Sequence, residues 1–108
     1  MTAYNVVRMK VKPGREKEFL EMNRNMERSA IERMKKNGFR KAAVIKTGDR
    51  SYCFIGEWDS FDSVVQSRAD MIKDLDQYRN ILEDLGGGLG VTDPVSGEVV
   101  AELGTKMM

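Results

Sequence analysis

The chain has 108 residues, 41% of them hydrophobic, with 18 Lys/Arg against 17 Asp/Glu, one cysteine and no histidine. That length supports one domain around a single core. The missing histidine excludes an imidazole base, Ser-His-Asp and Cys-His nucleophile systems, and any histidine metal or haem ligand. The lone Cys53 excludes an internal disulfide and a thiolate zinc site and suits a reducing compartment, so a cytoplasmic location is expected. No apolar run approaches the ~20 residues of a membrane span, and the polar, alternating N-terminus reads as a strand rather than a signal peptide. Acid–base work would fall to carboxylates, tyrosine, lysine or water.

Tyr4 to Val11 alternates as a strand, with Asn5, Val7, Met9 and Val11 on one face and Tyr4, Val6, Arg8 and Lys10 on the other. Lys12-Pro13-Gly14 breaks it. A long helix is then expected, because Phe19, Met22, Met26, Ala30 and Met34 recur at three- and four-residue steps. Leu20 and Ile31 widen that stripe, and Asn37-Gly38 ends it with residues that tolerate a left-handed cap. Phe39 to Thr47 is the second strand, Gly48-Asp49-Arg50 a tight turn, and Ser51 to Trp58 the antiparallel return. On this third strand Tyr52, Phe54 and Trp58 share one face with Gly56, while Cys53, Ile55 and Glu57 take the other.

Asp59 and Ser60 are cap residues for a helix from about Phe61, with Val64, Val65, Arg68, Ile72 and Leu75 on its stripe. A break near Asp74 to Asp76 precedes a short helix with Tyr78, Ile81, Leu82 and Leu85 inward. Gly86 to Gly90 is a flexible connection. It lacks the following Lys-Ser/Thr and helix of a phosphate-binding loop. Asp93-Pro94 and Ser96-Gly97 are turn signals, Glu98 to Leu103 the expected last strand, and Lys106 to Met108 a loose tail.

This order is the ferredoxin-like β-α-β-β-α-β arrangement, an α+β fold with both helices on one face of an antiparallel sheet. It makes one domain of residues 1–108, best supported over 4–85, with 86–97 as connection, 98–103 as last strand and 104–108 as tail. The other sheet face is left bare, toward which Tyr52, Phe54 and Trp58, or else Cys53 and Ile55, must point. A bare apolar face calls for a homodimer through the sheets.

Charge is lopsided behind a net of +1. Residues 1–50 carry 14 Lys/Arg against 6 Asp/Glu, a net of +8, and residues 51–108 carry 4 against 11, a net of −7. Two solvated faces that attract each other, within or between subunits, account for this. Arg33, Lys35, Lys36, Arg40 and Lys41 could form an anion patch, but a helix end favours cations there anyway. Neither an aromatic-rich RNA-binding signature nor helix-turn-helix spacing accompanies them, so nucleic acid is not an expected partner.

The run VVRMKVKPGREKEF, and FIGEWDSFDSV closing the third strand, resemble the antibiotic-biosynthesis-monooxygenase-like family over roughly Tyr4 to Leu85. The resemblance implies a dimeric α+β barrel, each half of which could oxidise a small aromatic or polyketide-like molecule with oxygen and without metal or flavin. Trp58 matches a tryptophan of the haem-degrading members, and Val7 takes the place of their asparagine, two residues after Asn5. Those members, like the mutarotase-like ones, rely on a histidine that this chain lacks, so neither activity is expected.

Candidate catalytic residues are Trp58, Asn5 and Arg68. Candidate ligand contacts are Arg8, Tyr52, Phe54, Gly56, Trp58, Arg68 and Tyr78, with Arg79 beside the last. Trp58, Tyr52 and Phe54 would shape a pocket, and Asn5, Arg8 or Arg68 would stabilise a substrate oxyanion. Each also has a packing role: Trp58 capping the sheet, Gly56 making a bulge or close approach, Arg68 covering a core edge with its stem, and Cys53 buried in mid-strand. Two functions stand side by side: a cofactor-free monooxygenase-like enzyme, and a non-catalytic dimer that binds a small ligand or serves as a scaffold.

Overall fold

The computed structural model describes residues 1–26 and 28–104; the tail expected at Lys106 to Met108 lies outside them. Elements run β1 (Ala3–Lys10), α1 (Glu16–Arg24), α2 (Arg28–Lys36), β2 (Phe39–Gly48), β3 (Ser51–Trp58), α3 (Phe61–Leu75), a 3₁₀ turn (Arg79–Ile81) and β4 (Asp93–Glu98). The sheet has the order β2-β3-β1-β4, antiparallel throughout. This is the ferredoxin-like α+β arrangement that the sequence pattern implies.

Register decides what each face presents. Ala3 pairs with Trp58, Asn5 with Gly56, Val7 with Phe54 and Met9 with Tyr52, so these residues share one side. That side carries the helices. Trp58, Val64, Ala3 and Met34 form one buried cluster, and Tyr52, Phe19, Val11, Ile81 and Leu82 the other. Fully burying side chains such as Trp58 and Phe19 contributes roughly 1.5–3 kcal/mol each. The aromatic face of β3 is therefore the core face, and Cys53, Ile55 and Glu57 face away from the helices. Around them lie Val6 and Arg8 on β1, Lys41, Ala43 and Ile45 on β2, and Val95 on β4. Ile45 is 44% and Val95 60% exposed, and no element among the described residues covers them.

Four expectations need correction. The long first helix is two helices. Asn23 Nδ2 donates to the Phe19 carbonyl at 2.9 Å, competing for a helical acceptor, and α1 closes with the Asn25 amide donating to the Glu21 carbonyl and the Met26 amide to that of Asn23. The apolar stripe of Phe19, Met22, Met26, Ala30 and Met34 nonetheless stays inward or half-inward across the break. On α3 the buried positions are Val64 and Ser67, with Met71 half-buried, while Val65 and Ile72 are exposed; the stripe is rotated from the expected one.

The last strand is Asp93–Glu98 and not Glu98 to Leu103, because β1 begins at Ala3, which already pairs with Glu98. Among the described residues past Glu98, only the Val99 amide finds a neighbouring carbonyl, that of Thr2, at 2.8 Å. Pro94 is tolerated because β4 is an edge strand. The short helix after α3 is a single 3₁₀ turn, and the segment behind it bridges Val11 through Leu82.

Gly38 takes the left-handed cap conformation at φ 97°, and a Cβ there would come within 2.3 Å of Ser63 Oγ. It lets the start of β2 touch the start of α3, where the Asp59 amide donates to the Gly38 carbonyl at 2.8 Å. The lopsided charge resolves partly within the chain. Arg40 pairs with Asp59 at 2.6 Å and Glu57 at 3.6 Å, and Arg50 with Glu83 at 2.5 Å, joining the basic first half to the acidic second.

Candidate functional site

The candidate residues fall into four places. Asn5, Phe54, Gly56 and Trp58 lie together on the helix-facing side of the sheet, Trp58 as part of one core cluster. Tyr52 is about 20 Å from Trp58 along the strand, packed on Phe19 with Tyr78 beyond it. Arg68 is exposed at the α3–β4 edge, donating to Ser96 Oγ at 3.3 Å with its guanidinium 5.7 Å from the Phe61 ring centre. Arg8 lies across the sheet, on the bare face.

At the Trp58 end, strand alternation points Asn5 and Trp58 to the same side. The indole Nε1–H donates to Asn5 Oδ1 at 2.7 Å, with Trp58 fully buried and Asn5 only 5% exposed. Asn5, two residues before the position implied by the family resemblance, is thus the residue that reaches the tryptophan; Val7 pairs with Phe54 instead. The Asn5 amide nitrogen approaches Met71 Sδ at 3.7 Å. Gly56 has no room for more: a Cβ would meet Asn5 Oδ1 at 2.4 Å, and Phe54 and Trp58 at 3.0 Å each. This is the close-approach role of a strand glycine. Ser67, one helical turn before Met71, is fully buried, and its hydroxyl has no hydrogen-bond partner among the described residues. Sequence reading missed it, because a lone serine in an apolar stripe carries no pattern.

At the Tyr52 end, the tyrosine hydroxyl donates to Glu16, which Lys46 also meets at 3.0 Å. The Tyr52 hydrogen bond, then Lys46, hold the Glu16 carboxyl below its ordinary range. The same bond raises the Tyr52 phenol, since ionisation would lose it. Burial raises Tyr78, with Asp74 adding to the effect.

A cleft of about 580 Å³ opens on the helix side, with Met22, Met26, Ala30 and Tyr78 as its less polar wall. Glu18, Glu21, Arg33, Lys73 and Asp74 also line it. Trp58 does not line it. The methionine spacing that marks the helical stripe is the signal that could have found it; of its lining, only Tyr78 was expected as a ligand contact. Among the described residues, no cluster of three or more His, Cys, Asp or Glu could hold a metal ion, and no helix is long and apolar enough to cross a membrane.

No protein-family model and no curated protein matches the chain. Solved structures do. A dimeric ferredoxin-like protein from an uncultured marine organism superposes with a TM-score of 0.73 at 14% identity, over 97% of this chain and 93% of its own. A Nitrosomonas europaea protein assigned by name to the antibiotic biosynthesis monooxygenases follows at TM-score 0.67 and 10% identity, over 92% and 90%. A cofactor-independent oxygenase from Streptomyces nogalater gives 0.62 and 16%, over 96% and 98%. At these identities the likeness is one of architecture: the chain has the ferredoxin-like α+β fold shared by proteins named as antibiotic biosynthesis monooxygenases.

Proposed function

We propose that the protein is a homodimer, formed through the bare sheet face, that binds a small aromatic molecule in the cleft between its helices. The observation that supports this best is the cleft itself, lined by Tyr78 and two methionines together with Arg33, Lys73, Glu18, Glu21 and Asp74. Aromatic rings pack well on methionine and tyrosine, and the two cations and three carboxylates of the lining offer hydrogen-bond partners to polar substituents on such a ligand. A volume of about 580 Å³ falls within the usual range for small-molecule sites. The dimer rests on the apolar exposure of Ile45 and Val95 and on the dimeric description of the marine protein.

A second reading is a cofactor-free monooxygenase acting on a small aromatic or polyketide-like molecule. The buried Asn5–Trp58 pair favours it, as does the likeness in fold to the Streptomyces nogalater oxygenase. Against it, the indole N–H is already satisfied and its ring enclosed, and the arginines stand away from both.

The two readings separate by a thermal-shift screen of phenolic and polycyclic aromatic compounds. The binding reading expects stabilisation of wild type by some compounds, abolished in Tyr78→Leu and retained in Trp58→Phe. Loss in Trp58→Phe, with oxygen uptake by wild type on the same compounds, would favour the oxygenase. Wild type left unshifted by the whole panel would remove the binding reading.

A further inference from the structure

After Glu98 the chain leaves the sheet. Beyond the Val99 amide, no residue from Val100 to Gly104 has a backbone hydrogen bond to another element among the described residues, and Val100 and Leu103 are 89% and 91% exposed. Two large apolar side chains held fully in water on one short segment are not a fold requirement. The segment is also not directed at random. With Tyr4, which register places on the bare side of the sheet, Glu98, Val99, Glu102 and Leu103 border a cleft of about 580 Å³. It therefore stands at the rim of the face left open by the helices.

At the opposite edge of that face, β2 presents Lys41, Ala43 and Ile45 in alternation, all exposed. Lys41 has no ion-pair partner among the described residues. One end of the face thus offers two apolar side chains with a carboxylate, and the other two apolar side chains with an ammonium. Packed sheets lie about 10 Å apart, and five or six extended residues span roughly 16–20 Å. The segment can cross that layer.

We infer that residues 99–104 form a clasp for a second copy of this chain. Val100 and Leu103 pack on the strip of the partner's Ala43 and Ile45, and Glu102 faces the partner's Lys41. The inference rests on the dimer proposed above and adds which segment holds it. It also accounts for an acidic C-terminal half and a basic N-terminal half that the internal ion pairs satisfy only in part.

Sedimentation equilibrium on the full-length chain tests it. Ending the chain after Glu98 removes both apolar contacts from each arm and weakens dimerisation at least ~10-fold, with far-UV circular dichroism unchanged. Glu102→Lys or Lys41→Glu alone weakens it about 5-fold. The double reversal Glu102→Lys/Lys41→Glu returns it to within about 2-fold of wild type, because the charges again oppose. A truncated chain that dimerises like wild type, or a double variant weaker than either single, overturns the clasp while leaving the dimer standing. A monomeric wild type overturns both.

Discussion

Gly56→Ala is the smallest change that reaches the centre of the structure. The added methyl would sit 2.4 Å from Asn5 Oδ1 and 3.0 Å from both Phe54 Cε1 and Trp58 Nε1. Asn5 is buried and its oxygen holds the Trp58 N–H, so it cannot yield without breaking that bond. Overpacking of this kind costs roughly 1–3 kcal/mol. An indole N–H left without its acceptor adds about 1–3 kcal/mol. Replacing a strand glycine returns about 0.5–1 kcal/mol of backbone entropy. The net is a loss of about 3 kcal/mol, on the order of 12 °C in Tm for a domain of this size.

Urea denaturation with Gly97→Ala as control reads this directly. Gly97 has nothing within 4 Å of its Cβ position and no positive φ, so that substitution should be neutral or slightly stabilising. In an Asn5→Ala background the penalty of Gly56→Ala falls by at least about 1 kcal/mol, because the nearest clash is gone. A Gly56→Ala protein within about 0.5 kcal/mol of wild type would refute the reasoning and imply free space beside Trp58.

Two further outcomes follow from the Tyr52–Glu16–Lys46 group. Glu16 has a depressed pKa in the folded chain, chiefly through the Tyr52 hydrogen bond and then Lys46. Its stabilisation is therefore present above the ordinary carboxylate pKa of about 4.3 and is lost as pH falls through the lower folded value. Denaturant titrations between about pH 6 and pH 2.5 should show a shallower acid loss in Glu16→Gln than in wild type; equal slopes would sink the assignment. Tyr52 has the opposite sign: its raised pKa gives stability present below about pH 10 and lost as pH rises through the folded value. Tyr52→Phe should remove that alkaline component, and an unchanged alkaline limb would count against it.

The fold was legible because its evidence is periodic. Alternation in Tyr4 to Val11 and Ser51 to Trp58, the Asn37-Gly38 stop and the Asp59-Ser60 cap each reflect local physics, and Ser60 Oγ indeed accepts from the Ser63 amide at 3.2 Å. Which face the aromatics of β3 take was open in the sequence. Strand period two separates them from Cys53 and Ile55 but cannot say which set meets a helix. The break between α1 and α2 was hidden because the apolar stripe continues across it, while the side chain that competes for a carbonyl in the last turn of α1, Asn23, carries no periodic signal. The end of the last strand depends on where β1 begins, a partner 95 residues away in Ala3↔Glu98, and no local pattern carries that.

The candidate site was less legible for the same reason. Tyr52 and Trp58 share a face yet belong to separate clusters, and Arg68 leaves its stripe for Ser96 and Phe61. Asn5 and Trp58 were both named, and their hydrogen bond joins residues 53 positions apart. Met22 and Met26 were read as core and line the cleft as well. Packing and binding draw on the same apolar spacing, so the spacing alone cannot divide them.

The account depends most on the claim that the sheet face bearing Ile45, Ile55 and Val95 belongs against a second copy. Sedimentation velocity on wild type and on Ile45→Glu tests this directly. Ile45 is 44% exposed in the single chain, so the substitution leaves folding intact while placing a charge in the interface. The account predicts a wild-type species of twice the 12.3 kDa chain mass at micromolar concentration, and a folded monomer for the variant. A monomeric wild type, or an Ile45→Glu protein that dimerises undiminished, would contradict it.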